Sequence, residues 1–319
     1  MADRYTVLSG GVGGAKLVLG LAQILPDEQL TVVANTGDDF VHLGLAISPD
    51  LDTLMYTLAG EVNTETGWGL RNETWGFMDA LESLDGETWF RLGDRDLATH
   101  IVRTQQLAAG ENLTEITARL CDRLGVTTLI LPMTNDTVRT RVDTGEGPLD
   151  FQHYFVRDRA QPQVTGLTYR GANTAEPSPG VLHALQGPGI RAVFIAPSNP
   201  YLSIDPILAI SSIRGAIRDT ATPVIAVSPI VGNAAIKGPT AKIMAELGLE
   251  VSALSIARHY HDLLDGFIVD TTDRDMAEEV KSLGIEVTIC DTIMRSIDDK
   301  VRLAQVALDF AASLAANRD

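Results

Sequence analysis

Apolar runs rich in β-branched residues recur along the chain as LTVVAN, TTLILPM, RAVFIAP, TPVIAVSP, DGFIVDT and IEVTIC, each running into a polar or glycine-bearing turn. A segment that is hydrophobic at successive positions, not alternate ones, suits a strand covered on both faces, which is the environment inside a parallel sheet. Helical stretches such as 207–218, 241–247 and 274–283 separate most of these runs. Strands alternating with helices predict an α/β fold, a parallel sheet with helices on both sides in a three-layer architecture. The first strand is expected at 4–8, followed by the glycine cluster SGGVGGAK and a helix with Leu17, Val18, Leu21, Ala22 and Leu25 on one face.

Two stretches leave this rhythm. Residues 61–110 contain Trp68, Trp75 and Trp89 among helical pieces without a clear strand, and read as a helical cap over the sheet edge. Residues 134–174 carry the shorter alternating segments VRTRVDT, LDFQHYFV and QVTGLTYRG, which predict an antiparallel β-insertion. The expected organisation is one domain over 1–319, with core sheet segments at about 1–60, 111–133 and 175–319.

With 319 residues and 45% apolar content the chain is long enough for a large core. Its 42 acidic and 25 basic residues give a net charge of −17, and no basic stripe is segregated, which argues against nucleic acid as a partner. No apolar run reaches membrane-spanning length, and the opening MADRYTVLSGG mixes acid and base ahead of a strand, so a soluble, cytoplasmic protein is expected. Cys121 and Cys290 lie far apart with no ligand spacing and read as reduced thiols.

The chemistry-bearing segments fall at strand ends. Gly10, Gly11, Gly13 and Gly14 lie between a strand and a helix, where bare backbone N–H groups can wrap a phosphate and Lys16 can add charge. The alternative is a tight strand-to-helix connection. The spacing is neither a Walker loop nor a full dinucleotide fingerprint, because Lys16 stands where a third glycine is needed and the second strand ends on Asn35 instead of an acid. Asp38, Asp39, Asp50 and Asp52 crowd the following loop, and such a cluster is a candidate Mg²⁺ site that would let an acidic protein bind a diphosphate. Asp50 reads equally as a helix cap after Ser48-Pro49. Ser198 and Asn199 follow one later strand, and Ser228, Gly232, Asn233, Lys237 and Gly238 follow another. These loops can converge on a nucleotide beyond the strand ends, although each is also an ordinary turn former. In GDRDLATHIVR, Arg95 suits phosphate or a flat heterocycle, Asp94 and Asp96 read as helix-start acids, and His100 as a packed helix histidine. His259 and His261 show no third ligand for a metal.

Taken in order, SGGVGGAKLVLGL, VANTGDDF, LAISPDLDTLMYTLAG, GDRDLATHI, LPMTND, APSNPYLSI and VSPIVGNAAIKGP resemble the 2-phospho-L-lactate transferase (CofD) family, from the first strand to beyond Asp291. The resemblance implies a Rossmann-like fold with a smaller inserted α+β part, dependence on Mg²⁺ and a homodimer. It further implies transfer of a 2-phospholactyl, phosphoenolpyruvyl or phosphoglyceryl group from a guanosine diphosphate-linked donor to the ribityl hydroxyl of the deazaflavin Fo, on the route to coenzyme F-420, with release of GMP. By the same resemblance Asp52 and Arg95 contact Fo and serve the reaction, while the glycine loop with Asn35 and the PSNP and SPIVGN loops surround the nucleotide. The alternatives are a non-enzymatic, UDP-sugar-binding regulator of the related gluconeogenesis-factor type, against which SPDLDT and GDRD stand, and an NAD-dependent oxidoreductase, against which Lys16 and Asn35 stand.

Overall fold

The computed structural model describes residues 3–236 and 238–317; Lys237 lies outside them. In chain order the strands are β1 (Arg4–Ser9), β2 (Leu30–Ala34), β3 (Phe40–His42), β4 (Leu45–Ile47), β5 (Leu129–Pro132), β6 (Arg139–Thr144), β7 (Gly147–Asp150), β8 (Val164–Arg170), β9 (Ile190–Ile195), β10 (Val224–Val227), β11 (Ile230–Val231), β12 (Ala234–Ala235), β13 (Gly266–Asp270) and β14 (Glu286–Cys290). Seven of them form one parallel sheet in the order β14-β13-β10-β9-β1-β2-β5. The apolar runs thus form the α/β sheet that their composition predicts.

Successive strand residues feed two separate cores. Val7, Val32, Phe194, Ile225 and Ile268 face one side, where they meet α1 (Gly11–Ala22), α2 (Pro49–Leu58) and the C-terminal helix Ile297–Ala316 through Leu17, Leu21, Leu51, Leu303 and Phe310. Their neighbours Leu8, Val33, Ile195, Ala226 and Val269 face the other side, against Ile213, Ile217 and Ile256. Both layers are buried, which is why these strands carry no polar alternation. Gly20 permits the close approach of α1 to the C-terminal helix, since a Cβ there would lie 2.2 Å from the Lys300 carbonyl oxygen.

Residues beyond α2 form α3 (Gly76–Ser83), α4 (Asp94–Ala108) and α5 (Leu113–Leu124). The start of α5 is written in the sequence as Asn112 and Glu115, whose side chains cap each other's backbone N–H groups. A separate antiparallel sheet has the order β7-β6-β8.

Four local expectations are corrected. LDFQHYFV is a strand only to Asp150, and then turns helical at His153–Arg157, where Phe151 and Phe155 stack with ring centres 5.4 Å apart. That i, i+4 aromatic pair is a helical signal inside an apparently alternating segment. The helix expected at 207–218 is broken into Asp205–Leu208 and Ser211–Arg218, and the one expected at 274–283 begins as a tighter helix at Thr271–Met276 before Ala277–Lys281. The segment after TGDDF is not plain loop but the hairpin β3–β4, turned by Leu43 and Gly44 with φ of 52° and 76°.

Candidate active site

The sheet order reverses between β1 and β9, since β1 leads to β2 on one side and β9 lies on the other. The loops leaving these two strands therefore diverge and leave a crevice at their carboxyl ends. Ser198, just after β9, ties them together by donating to the Gly10 carbonyl at 2.7 Å and accepting from the Gly10 N–H at 3.2 Å.

The glycine cluster sits differently from a free loop. Gly10 is the N-cap and α1 begins at Gly11, so Gly13, Gly14 and Lys16 are helical. Added Cβ atoms would lie 2.4 Å from the Pro197 carbonyl at Gly13, and 2.2 and 2.4 Å from the Ser9 and Ser198 hydroxyls at Gly14. These two glycines let the helix press against the β9 loop. Lys16 is a turn further on, half-buried, and donates to the Met294 carbonyl at 3.2 Å. The cavity at the crevice is lined by Gly10, Gly11 and Val12 and not by Lys16.

The aspartates divide into two groups. Asn35 is fully buried at the end of β2, and its amide donates to Asp38 at 3.0 Å, to Asp50 at 2.9 Å and to the Leu202 carbonyl at 3.2 Å. It builds the floor behind the site instead of offering a free edge to a nucleotide. Asp50 follows Pro49 at the start of α2, but the helix it caps is α1, whose Gly11 N–H it accepts at 2.7 Å. Burial lifts Asp50 to about 6, and burial with the neighbouring Asp50 charge pushes Asp38 well above the usual carboxylate range. Asp39 points to a smaller cavity beside Arg139, accepts from Ser48 at 2.8 Å, and is lifted by burial to about 7.

Asp52 belongs to the second group. Arg103 of α4, 1% exposed, grips both of its oxygens, one through Nη2 and the other through Nη1 at 3.1 Å. Asp96 accepts from the Tyr56 hydroxyl at 2.5 Å and lies 3.3 Å from His100 Nε2. Burial alone would raise Asp96, but His100, the Tyr56 hydroxyl and Arg103 together hold it below its ordinary value. Among the described residues, Asp52, Asp96 and His100 form the group of three whose donor atoms, all within 4.8 Å of one another, could hold a metal ion. The four aspartates expected to do so do not converge as one such group. Asp96, His100 and Arg103 had a sequence signal in their i, i+4, i+7 spacing, which puts them on one face of α4.

These groups open on a cavity of about 580 Å³, within the size range of small-molecule sites. Trp68, Phe90, Phe151 and Phe155 supply apolar wall, and Arg91, stacked 4.0 Å over the Trp75 ring, supplies a cation. Arg95 is not in that wall: it is exposed and bonds the Arg71 carbonyl at 2.7 Å and Glu61 at 3.2 Å. Asn199 is in the wall, with its carbonyl capping the Tyr201 and Leu202 N–H groups and its amide nitrogen without a hydrogen-bond partner. Ser228 closes a local turn onto Ile230, and Gly232 and Asn233, with φ of 58° and 63°, turn the β11–β12 hairpin. Neither Ser228 nor that turn lines the cavity, and Gly232 N–H instead donates to Asp273 at 3.1 Å.

Raised carboxylates make stability depend on pH. With folded values of about 7 for Asp39 and about 6 for Asp50, against roughly 3.9 unfolded, the native state holds protons that the unfolded chain has released. Stability from these groups is therefore lost as pH rises from about 4 to about 7. Asp94 and Asp299, lowered mainly by a Thr74 hydrogen bond and by the Ser296 N–H, act below that window, and His42, lowered by burial, acts oppositely within it. In chelator, Asp50→Asn is expected to melt close to the parent near pH 4 and above it at pH 8. Equal melting offsets at both pH values would contradict the assignment.

A parallel three-layer sheet with a carboxylate-rich cavity at its switch point defines an open-sheet α/β enzyme of the kind that handles small ligands beyond its strand ends. Comparison with known proteins gives the family. The pattern described as 2-phospho-L-lactate transferase CofD matches residues 5–307. The phosphoenolpyruvate transferase of Streptomyces griseus is 43% identical over 98% of this chain and 100% of its own length. The 2-phospho-L-lactate transferase of Methanosarcina mazei is 39% identical over 95% and 98%. A crystal structure of a upf0052 family member from Bacillus halodurans shares the fold, with a TM-score of 0.63 at 12% identity over 97% of this chain and 99% of that one. The chain belongs to the 2-phospho-L-lactate transferase (CofD) family and is a transferase.

Proposed function

We propose that the protein moves a phosphoenolpyruvyl, 2-phospholactyl or phosphoglyceryl group from a guanosine diphosphate-linked donor to the terminal ribityl hydroxyl of Fo. The hydroxyl oxygen bonds to the donor phosphorus next to the acyl-bearing group, the bond to the GMP phosphate breaks, and the hydroxyl proton leaves to solvent or a carboxylate. The observation that carries this reading is the cavity itself, which joins an aromatic wall suited to a flat heterocycle to a helix N-terminus suited to phosphate. The activities for which the Streptomyces and Methanosarcina relatives are named support the same class of group transfer.

Asp52 orients the ribityl hydroxyl, with its carboxylate fixed by Arg103. Phosphoryl chemistry rests mainly on alignment and charge, so orientation is a sufficient role. Mg²⁺ fits best at Asp38 and Asp50, which line the cavity, are lifted by burial, and are in no ion pair among the described residues, whereas Asp52 already has Arg103. Bound there, the ion would supply the positive charge that a diphosphate needs beside these acids. The start of α1 and the Asn199 amide, which line the cavity, would bind the donor.

The test is incubation with Fo, Mg²⁺ and each of the three synthetic donors, followed by mass analysis, with and without chelator. A product heavier than Fo by the acyl phosphate, lost in chelator, is expected; no product with any donor overturns the reading. GDP is expected to bind at least about tenfold more tightly than ADP, a difference of about 1.4 kcal/mol. Equal affinities in calorimetry would remove the guanine assignment.

A further inference from the structure

We infer that Arg103 and His100 form a positioning pair in which Arg103 fixes the imidazole as its Nε2–H tautomer and His100 serves Asp96 instead of ligating a metal. Arg103 Nη1 lies 3.3 Å from His100 Nδ1, and a guanidinium has donors only, so the contact is a hydrogen bond only when Nδ1 accepts. The neutral ring then carries its single proton on Nε2. That nitrogen faces Asp96 Oδ2 at 3.3 Å and is otherwise a buried atom with no well-aligned partner.

The rest of the cluster agrees with this assignment. Asp96 takes the Tyr56 hydroxyl on its other oxygen at 2.5 Å, so its two oxygens face two different donors. Asp52 has both oxygens on Arg103, whose Nη1 also reaches the Ala46 carbonyl at 3.4 Å. A metal ion bound by Nε2 would have to displace its proton and remove the donor facing Asp96, while a metal bound by Nδ1 would have to displace Arg103. Asp52, Asp96 and His100 therefore have metal-like spacing, but the arginine already supplies the cation. His100 is 1% exposed, on the same face of α4 as Asp96 and Arg103, and its ring lies between the two acids.

The consequence for the reaction rests on the function proposed above: His100 transmits no proton to substrate, but holds Asp96 and, through Arg103, the orientation of Asp52. A side chain with one acceptor and one donor should substitute for it in part. We expect His100→Gln to keep turnover within about fivefold of the parent, and His100→Leu to lose about a hundredfold, mainly in kcat.

The deciding experiment needs no substrate. In protein labelled with ¹⁵N-histidine, the His100 signals are expected to show protonated Nε2 and unprotonated Nδ1, and to keep that pattern on titration with Mg²⁺ alone. In Arg103→Lys, which offers no planar fork, the pattern is expected to shift toward a tautomer mixture, with a melting curve recorded to confirm folding. An Nδ1–H tautomer in the parent, or a Mg²⁺-dependent loss of the Nε2 proton, overturns the inference. Absence of transfer activity with every donor would sink the proposed function and leave this measurement standing. If activity is present, equal losses in His100→Gln and His100→Leu would exclude the positioning role.

Discussion

Replacing Asp52 by asparagine is expected to lower turnover by about a hundredfold or more, as for other groups that orient or stabilise a reacting centre. The same change should lower stability, because it leaves the guanidinium of Arg103 buried without its counter-charge. Breaking one partner of a buried ion pair costs about 3–5 kcal/mol. The two effects separate in Asp52→Asn/Arg103→Met, where an apolar chain replaces the stranded charge: its melting temperature should recover most of the loss, while turnover should not. A single variant turning over like the parent would show that the acceptor hydroxyl lies elsewhere.

Gly13→Ala is expected to be the most damaging single methyl in the glycine cluster. The new carbon would lie 2.4 Å from the Pro197 carbonyl oxygen, a backbone atom held by the loop after β9. Neither a rotamer change nor a water can relieve that overlap, so α1 must move away from the loop that Ser198 ties to Gly10. A loss of at least about 1–3 kcal/mol is expected, the range for overpacking a well-filled interior, together with loss of nucleotide binding. Urea unfolding checks the first and calorimetry the second. A Gly13→Ala protein with parental stability would show that the helix and the loop can part without cost.

The sheet was legible because a parallel strand declares itself through unbroken apolar runs, and the two cores demand them. What escaped was local. The β3–β4 hairpin turns at Leu43, a residue with little intrinsic preference for positive φ, and only its neighbour Gly44 hints at the turn. At the cavity, the glycine turn was legible because it directly follows β1, and Asp50 and Asp52 because they crowd the segment after β2. Asp96, His100 and Arg103 were visible as residues but not as neighbours of Asp52, since α2 and α4 lie far apart in sequence, 51 positions for the Arg103–Asp52 pair. Arg95 drew attention through its chemistry; it bonds Glu61 and is not among the residues that line the cavity. Asn233 stands in for a glycine at positive φ, so its identity is explained by the hairpin turn it makes.

The carboxylate of Asp50 sits where a guest anion would be welcomed, on the first N–H of α1. The helix end is thus never vacant: the chain carries its own resident anion there, tethered one residue past Pro49 on a neighbouring helix. A phosphate arriving at this place meets a carboxylate that is already there. Either Asp50 takes up a proton, which a carboxylate lifted to about 6 does readily near neutrality, or a cation comes in with the phosphate and lets both anions stay. Ligands that bring neither a proton nor a cation face a repulsion built into the protein, so the tenant at the helix end acts as a filter on what can join it.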